Sequence, residues 1–123
     1  MNLRILKELY QVIKLNTADK IPQGVFNEDF FSITGTAEEL SIVTNNNIPI
    51  KSDNIEKGWK VIKIEGVLDF NLIGIISKIS KILADNDISI FVISTFNTDY
   101  ILVKEHQLEK SIEVLTDNNY RFD

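Results

Sequence analysis

Two short polar segments carry residue types suited to binding a small charged molecule. The first consists of Asp69, Phe70, Asn71, Leu72, Ile73 and Gly74. It lies where a predicted strand leads into a predicted helix, and free N–H groups at a helix N-terminus hold anions such as carboxylates. Gly74 has no side chain, so a ligand or another backbone can approach it closely. The alternative is that Gly74 only allows tight packing on the sheet.

The second segment consists of Ser94, Thr95, Phe96, Asn97, Thr98 and Asp99. Its composition is typical of a turn, and the carboxylate of Asp99 is suited to pair with an ammonium group. The alternative is that Asp99 caps the turn of a hairpin. In a βαββαβ unit we expect this turn to leave the sheet at the end opposite residues 69–74. The two segments would then meet only across an interface between units or subunits.

Composition excludes several kinds of chemistry. The chain of 123 residues has no Cys, a single His and a net charge of −5. It therefore has no disulfide or thiolate metal site, and its charge disfavours binding to nucleic acid. His106 is predicted to be a solvated surface residue. Asp85, Asn86 and Asp87 mimic the start of a calcium loop, but Phe96 stands where its bidentate Glu belongs. We predict no catalytic residue, no metal and no cofactor.

The second half of the chain shows a regular order of predicted elements. Alternating and three-to-four spacings of apolar residues predict strand, helix, strand, strand and helix over residues 59–66, 72–85, 88–94, 100–104 and 105–117. Asn86 is predicted to end the first helix in a left-handed conformation. The apolar run at 88–94 predicts a strand covered on both faces. One more strand, from residues 120–123 or from the other half, would complete a βαββαβ unit.

The first half is rich in predicted strands, at residues 3–6, 9–15, 30–34 and 40–44. A weak internal repeat relates FFSITGTAEELSIV to FVISTFNTDYILV with one gap. We therefore predict two related halves, residues 1–58 and 59–123, that fold as one cooperative unit because neither buries enough surface alone.

Three stretches together resemble the ACT-domain family: FFSITGTAEELSIV, Trp59, and EGVLDFNLIGIISKISKILADNDISIFVISTFNTDYILVK. More narrowly, they resemble small bacterial double-ACT proteins related to the CASTOR arginine sensors. The resemblance covers residues 3–117. It implies an α+β fold of two tandem ferredoxin-like (ACT, βαββαβ-type) units, the first abbreviated and strand-rich, packed as one unit.

The resemblance also implies a ligand pocket between two ACT units. Its lining would come from residues 69–74 and 94–99, with a further contribution from Ser32, Ile33 and Thr34. Thr98 stands where the arginine sensor has an aromatic residue, which argues against carrying over arginine as the ligand. The sensors carry four ACT units in one chain, so a homodimer of this chain would restore that number.

The resulting prediction is a cytoplasmic, non-enzymatic regulatory or sensor protein that binds an amino acid or similar metabolite. Its expected partners are the small molecule and a second copy of the chain, without nucleic acid or membrane. One alternative is a ligand-free dimerisation or interaction module that docks on a regulated protein. A small enzyme such as an acylphosphatase is disfavoured, because the only arginines, Arg4 and Arg121, lie at the chain ends.

Overall fold

The computed structural model describes residues 1–66 and 73–123. These residues form two compact units, unit 1 from Met1–Lys7 and Lys60–Asp123, and unit 2 from Glu8–Trp59. Strands dominate both, and two α-helices lie in unit 1, so the expected α+β class is confirmed. Neither helix has the length and apolar character that crossing a bilayer requires, within the part of the chain described.

The elements follow one another in an order close to the predicted one. The strands are β1 (Asn2–Ile5), β2 (Tyr10–Leu15), β3 (Ser32–Gly35), β4 (Leu40–Asn45), β5 (Asn54–Ile64), β6 (Ile90–Ser94), β7 (Asp99–Lys104) and β8 (Arg121–Phe122). The helices are α1 (Ile75–Asp85) and α2 (Leu108–Asp117), and 3-10 turns occupy Gln23–Asn27 and Glu105–Gln107.

Unit 1 has the strand order β6-β7-β5-β1-β8, with α1 and α2 in the connections. The order β5-α1-β6-β7-α2-β8 is the predicted βαββαβ order, completed by β8 at the C-terminus. Strand β1 lies between β5 and β8, antiparallel to the first and parallel to the second. Residues 1–7 therefore pack with the C-terminal residues, whereas the sequence analysis grouped them with the N-terminal half. The division into ACT-like units at residues 1–58 and 59–123 stays a prediction.

Helix α1 buries the apolar stripe that its sequence predicted. Ile79 and Leu83 are fully buried against Ile62 and Ile64 of β5, with the rest of the stripe packed around them. The helix begins three residues later than predicted, after Gly74. At its other end the left-handed residue is Asp87, with φ of 59°, and not Asn86. Asn86 instead donates its side-chain amide to the Ile82 carbonyl at 2.9 Å.

Strand β6 is less buried than its sequence predicted. Its apolar sequence predicted a strand covered on both faces, yet Ile90, Phe91, Val92 and Ile93 are only half-buried. Among the described strands β6 pairs with β7 alone, so it is the edge of the unit 1 sheet. An edge strand has a neighbour on one side only, which leaves apolar side chains partly exposed.

Unit 2 has the strand order β3-β4-β2-β5 around a smaller core. Ile13, Leu15, Val25 and Ile42 form that core. The buried side chain of Gln11 donates to the carbonyls of Asn45 and Ile48 at 2.9 and 2.8 Å, which fixes the connection after β4. These bonds satisfy the amide donors of Gln11, as a buried polar group requires.

The internal repeat is clearer in the structure than in the sequence. Hairpins β3–β4 and β6–β7 both enclose four-residue turns, closed by the pairs Gly35↔Leu40 and Ser94↔Asp99. Strands β4 and β7 also share one burial pattern, with three consecutive buried residues before a half-buried end. The hairpins therefore correspond without the gap that the sequence comparison introduced.

Candidate functional site

The turn between β6 and β7 is fixed by the side chain of Thr95. The Thr95 N–H and hydroxyl both donate to the Thr98 carbonyl at 2.9 Å, and the hydroxyl accepts from the Thr98 N–H at 3.3 Å. The predicted turn is therefore confirmed, and Thr95 is the residue that closes it.

Thr98 is the buried residue of this turn. Its side chain is 3% exposed, and its hydroxyl donates to the carbonyl of Ile64 at 2.8 Å. Ile64 is the last residue of β5. The bond therefore ties the turn at residues 95–98 to the end of β5, across 34 residues of sequence.

This bond contradicts the expected position of the turn. The turn was predicted at the end of the sheet opposite the segment that follows β5, but it lies beside the last residue of β5. Strands β5 and β6 are joined through one helix, so both run in the same direction and the connections after them leave the sheet at the same end. Helix α1 runs in the direction opposite to β5 and β6. Its first turn therefore lies at the end of the sheet where β5 and β6 end.

The other residues of the turn differ in exposure. Ser94 and Asn97 are exposed, and Phe96 is 79% exposed. Asp99 is half-buried as the first residue of β7, opposite Ser94. Among the described residues, the hydrogen bonds that close the turn come from Thr95 and Thr98.

At the start of α1, Gly74 has φ of 81°, a left-handed conformation that side chains disfavour. A Cβ at this position would meet no atom of the described residues within 4 Å, so packing against those residues does not explain the glycine. Gly74 cannot cap the helix with a side chain, and no acidic residue lies in the first turn. Neighbouring Ile73 is 89% exposed. The predicted site residues Asp69, Phe70, Asn71 and Leu72 lie outside the described residues.

Ser32, Ile33 and Thr34 lie on β3 in unit 2, paired with Val43, Ile42 and Ser41 of β4. Ser32 and Ile33 are half-buried and Thr34 is exposed. Their part in a shared pocket stays a prediction.

The residues considered for metal binding, His106 and Asp85, lie at the surface of unit 1. His106 is exposed in the 3-10 turn before α2. Asp85 accepts a hydrogen bond from Lys81 at 2.8 Å, one turn earlier on α1. No group of three or more potential metal-ligating side chains occurs in the part of the chain that the structure describes.

One cavity was not singled out by the sequence analysis. It lies in unit 2 where β2 ends and β5 begins, and its volume is about 390 Å³. Its lining residues are Lys14, Leu15, Asn16, Asp19, Lys51, Ser52, Asp53 and Asn54. In the sequence, these Asn, Asp and Ser residues indicate loops, and nothing in their order predicts a cavity.

Among the described side chains of unit 2, Tyr10 has a shifted pKa. Burial raises the pKa of its phenol, and the nearby carboxylates of Glu8, Glu28 and Asp29 raise that pKa further. The ring meets Phe30 edge-on, with centroids 5.5 Å apart. Tyr10 is buried in unit 2 and packs on an aromatic neighbour, so we interpret it as a structural residue rather than part of the candidate site.

Comparison with known proteins gives two family matches. The model of the ACT domain matches residues 54–117, and a model of an N-terminal domain matches residues 8–51. An Agobacterium tumefaciens protein solved by X-ray crystallography is 35% identical, with a TM-score of 0.89 over 99% of this chain and 91% of its own. The aspartate kinase of Clostridium acetobutylicum shares the fold, with a TM-score of 0.64 and 13% identity over 90% of this chain and 33% of the kinase.

The human cytosolic arginine sensor for mTORC1 subunit 1 is 45% identical over 58 residues, which are 46% of this chain. The match spans 18% of the length of that relative. Because the ACT domain model matches more than half of the chain, this chain belongs to the ACT-domain family.

Proposed function

We propose that the protein is a regulatory sensor that binds an amino acid or similar small metabolite and catalyses no reaction. The observation that carries the proposal is the placement of the Thr95–Thr98 turn at the end of the unit 1 sheet where β5 ends and α1 begins. Membership of the ACT-domain family supports a sensing role, and the partial match to an arginine sensor supports an amino acid as ligand.

An α-amino acid carries a carboxylate and an ammonium group, and this end of unit 1 offers a partner for each. The first-turn N–H groups of α1 receive no cap from Gly74 and are suited to a carboxylate. The half-buried carboxylate of Asp99 is suited to the ammonium group or to a cationic side chain. Thr95 and Phe96 supply polar and packing contacts. Asp69, Phe70, Asn71 and Leu72 are proposed to complete the lining.

We further propose that the two units are tandem ferredoxin-like ACT units and that the ligand lies at an interface between ACT units. In a homodimer, two copies would supply the facing units, with Ser32, Ile33 and Thr34 as additional lining. A cytoplasmic location, and partners limited to the ligand and the second copy, belong to the same proposal.

A thermal-shift screen with the twenty amino acids tests this function. A ligand at 100 times its Kd adds about 2.7 kcal/mol to the free energy of unfolding. For a chain of this size that raises the midpoint by on the order of 10 °C. Asp99→Asn is expected to abolish the shift, whereas Asp117→Asn, at the exposed end of α2, keeps it. No shift with any amino acid at millimolar concentration would overturn the proposal.

The second candidate is a ligand-free interaction module. Two large apolar side chains, Ile73 and Phe96, are 89% and 79% exposed, and exposed apolar surface marks docking sites when it is contiguous. Under this candidate, Phe96→Ser lowers the dimer fraction measured by light scattering, and no amino acid changes the melting midpoint. A shift in the screen combined with an unchanged dimer fraction in Phe96→Ser rejects it.

A further inference from the structure

The two repeated hairpins are closed by the same hydrogen bonds. In unit 2 the Thr36 N–H donates to the Glu39 carbonyl at 2.9 Å, as the Thr95 N–H does to Thr98. The Thr36 hydroxyl accepts from the Glu39 N–H at 3.1 Å, as the Thr95 hydroxyl accepts from Thr98. Thr36 therefore corresponds to Thr95, and the residues after it correspond one by one.

The hairpins differ at the position of the proposed ammonium partner, Asp99, and at the position directly before it. Glu39 stands in place of Thr98, and Leu40 stands in place of Asp99. Leu40 has no charge to offer an ammonium group. Thr98 is buried with its hydroxyl on β5, whereas Glu39 is half-buried. The unit 2 hairpin thus keeps the backbone of the turn but has no carboxylate at the position of Asp99 and no threonine at the position of the buried anchor. Its own carboxylates, Glu38 and Glu39, lie within the turn.

From these differences we infer that, of the two hairpins, only that of unit 1 supplies the carboxylate for the ammonium group, that each chain holds one ligand, and that Thr98 is the positioning residue for Asp99. This inference rests on the proposed function. Thr98 precedes Asp99 directly, and its 2.8 Å bond to Ile64 fixes where β7 begins relative to the end of β5. A carboxylate held in place before binding loses less conformational freedom on binding, so the anchor contributes to affinity.

Calorimetry at 25 °C tests the inference, with the twenty amino acids as probes. Thr98→Val keeps the size of the side chain and removes the donor, and Thr98→Ser keeps the donor. We expect one amino acid per chain, a Kd about 3- to 10-fold higher in Thr98→Val, and a Kd within about twofold of the parent in Thr98→Ser. Thr44→Val makes the same change in the buried part of unit 2 and is expected to leave Kd unchanged.

Specific outcomes overturn the inference. Two amino acids bound per chain contradict the single site. A Thr98→Val variant that is folded at 25 °C, melts at a lower temperature and binds with the parental Kd shows that Thr98 only stabilises the fold.

A ligand-free measurement separates this inference from the proposed function. Amide hydrogen exchange in Thr98→Val should accelerate at Thr95 and Asp99 and stay unchanged in the unit 2 hairpin. If no amino acid binds the parent protein, the proposed function fails and the single-site inference fails with it. Faster exchange at Asp99 would still support the positioning role, whereas unchanged exchange there would remove it too.

Discussion

Replacing Thr44 by valine is expected to stabilise the protein. Thr44 lies in β4 with a fully buried side chain, and its hydroxyl has no hydrogen-bond partner among the described residues. A buried hydroxyl without a partner costs about 1–3 kcal/mol. Valine has nearly the same shape and removes that cost, so the free energy of unfolding should rise by about 1–3 kcal/mol.

The same substitution at Thr98 is expected to act in the opposite direction. The Thr98 hydroxyl donates to the carbonyl of buried Ile64, so valine leaves that acceptor without this donor. The loss should lower the free energy of unfolding by about 1–3 kcal/mol. The same substitution at two buried threonines is therefore expected to change stability in opposite directions, because among the described residues the Thr98 hydroxyl has a partner and the Thr44 hydroxyl has none.

Urea denaturation of the parent and both variants measures this difference. A change in midpoint without a change in slope reports stability alone. A lower midpoint in Thr44→Val would contradict the prediction, because the hydroxyl would then have a stabilising partner. The prediction is also refuted if both variants shift the midpoint in the same direction.

Three further predictions concern the core, a helix start and pH. Leu83→Ala should cost about 2–5 kcal/mol because Leu83 is fully buried on α1, while Lys81→Ala, whose ion pair with Asp85 is exposed, should change stability by less than about 0.5 kcal/mol in denaturant titrations. Gly74→Ala should cost about 1–2 kcal/mol because φ is 81°, whereas Gly24→Ala, whose Cβ would lie 3.7 Å from Ile48, should be tolerated in the same assay. The raised pKa of Tyr10 means that the unfolded chain loses the phenol proton first, so stability is fully present below pH 10.0 and falls as pH rises above it. Tyr10→Phe should reduce that fall in melts between pH 9 and 11, and an equal fall in both proteins would contradict the assignment.

Much of the fold follows from local spacing. The stripe around Ile79 and Leu83 predicts α1 because three-to-four spacing places those side chains on one helical face. The run at 88–94 predicts a strand but says nothing about its neighbours, so the edge position of β6 was missed. Asn86 and Asp87 both tolerate a left-handed conformation, and composition does not decide between them.

The site was less accessible to sequence reasoning than the fold. The family resemblance predicts Thr98 as a lining residue, and that prediction is untested. The bond from its hydroxyl to Ile64 was not predictable because Ile64 lies 34 residues earlier in the chain. The position of the 95–98 turn, by contrast, follows from the direction of the strands: two strands joined through a helix run the same way, so the connections after β5 and β6 leave the sheet at one end. Only the hydrogen bonds show that Thr36 and Thr95 are equivalent, because the residues that follow each threonine in its turn share little chemistry.

The most direct test of amino acid binding at this end of unit 1 is a ¹H–¹⁵N NMR titration of the labelled chain with each of the twenty amino acids. Binding predicts saturable shifts at the amides of Thr95, Asp99 and the first turn of α1, with the turn at Thr36–Glu39 unmoved. No amide shift with any amino acid, or shifts confined to unit 2, would contradict the account.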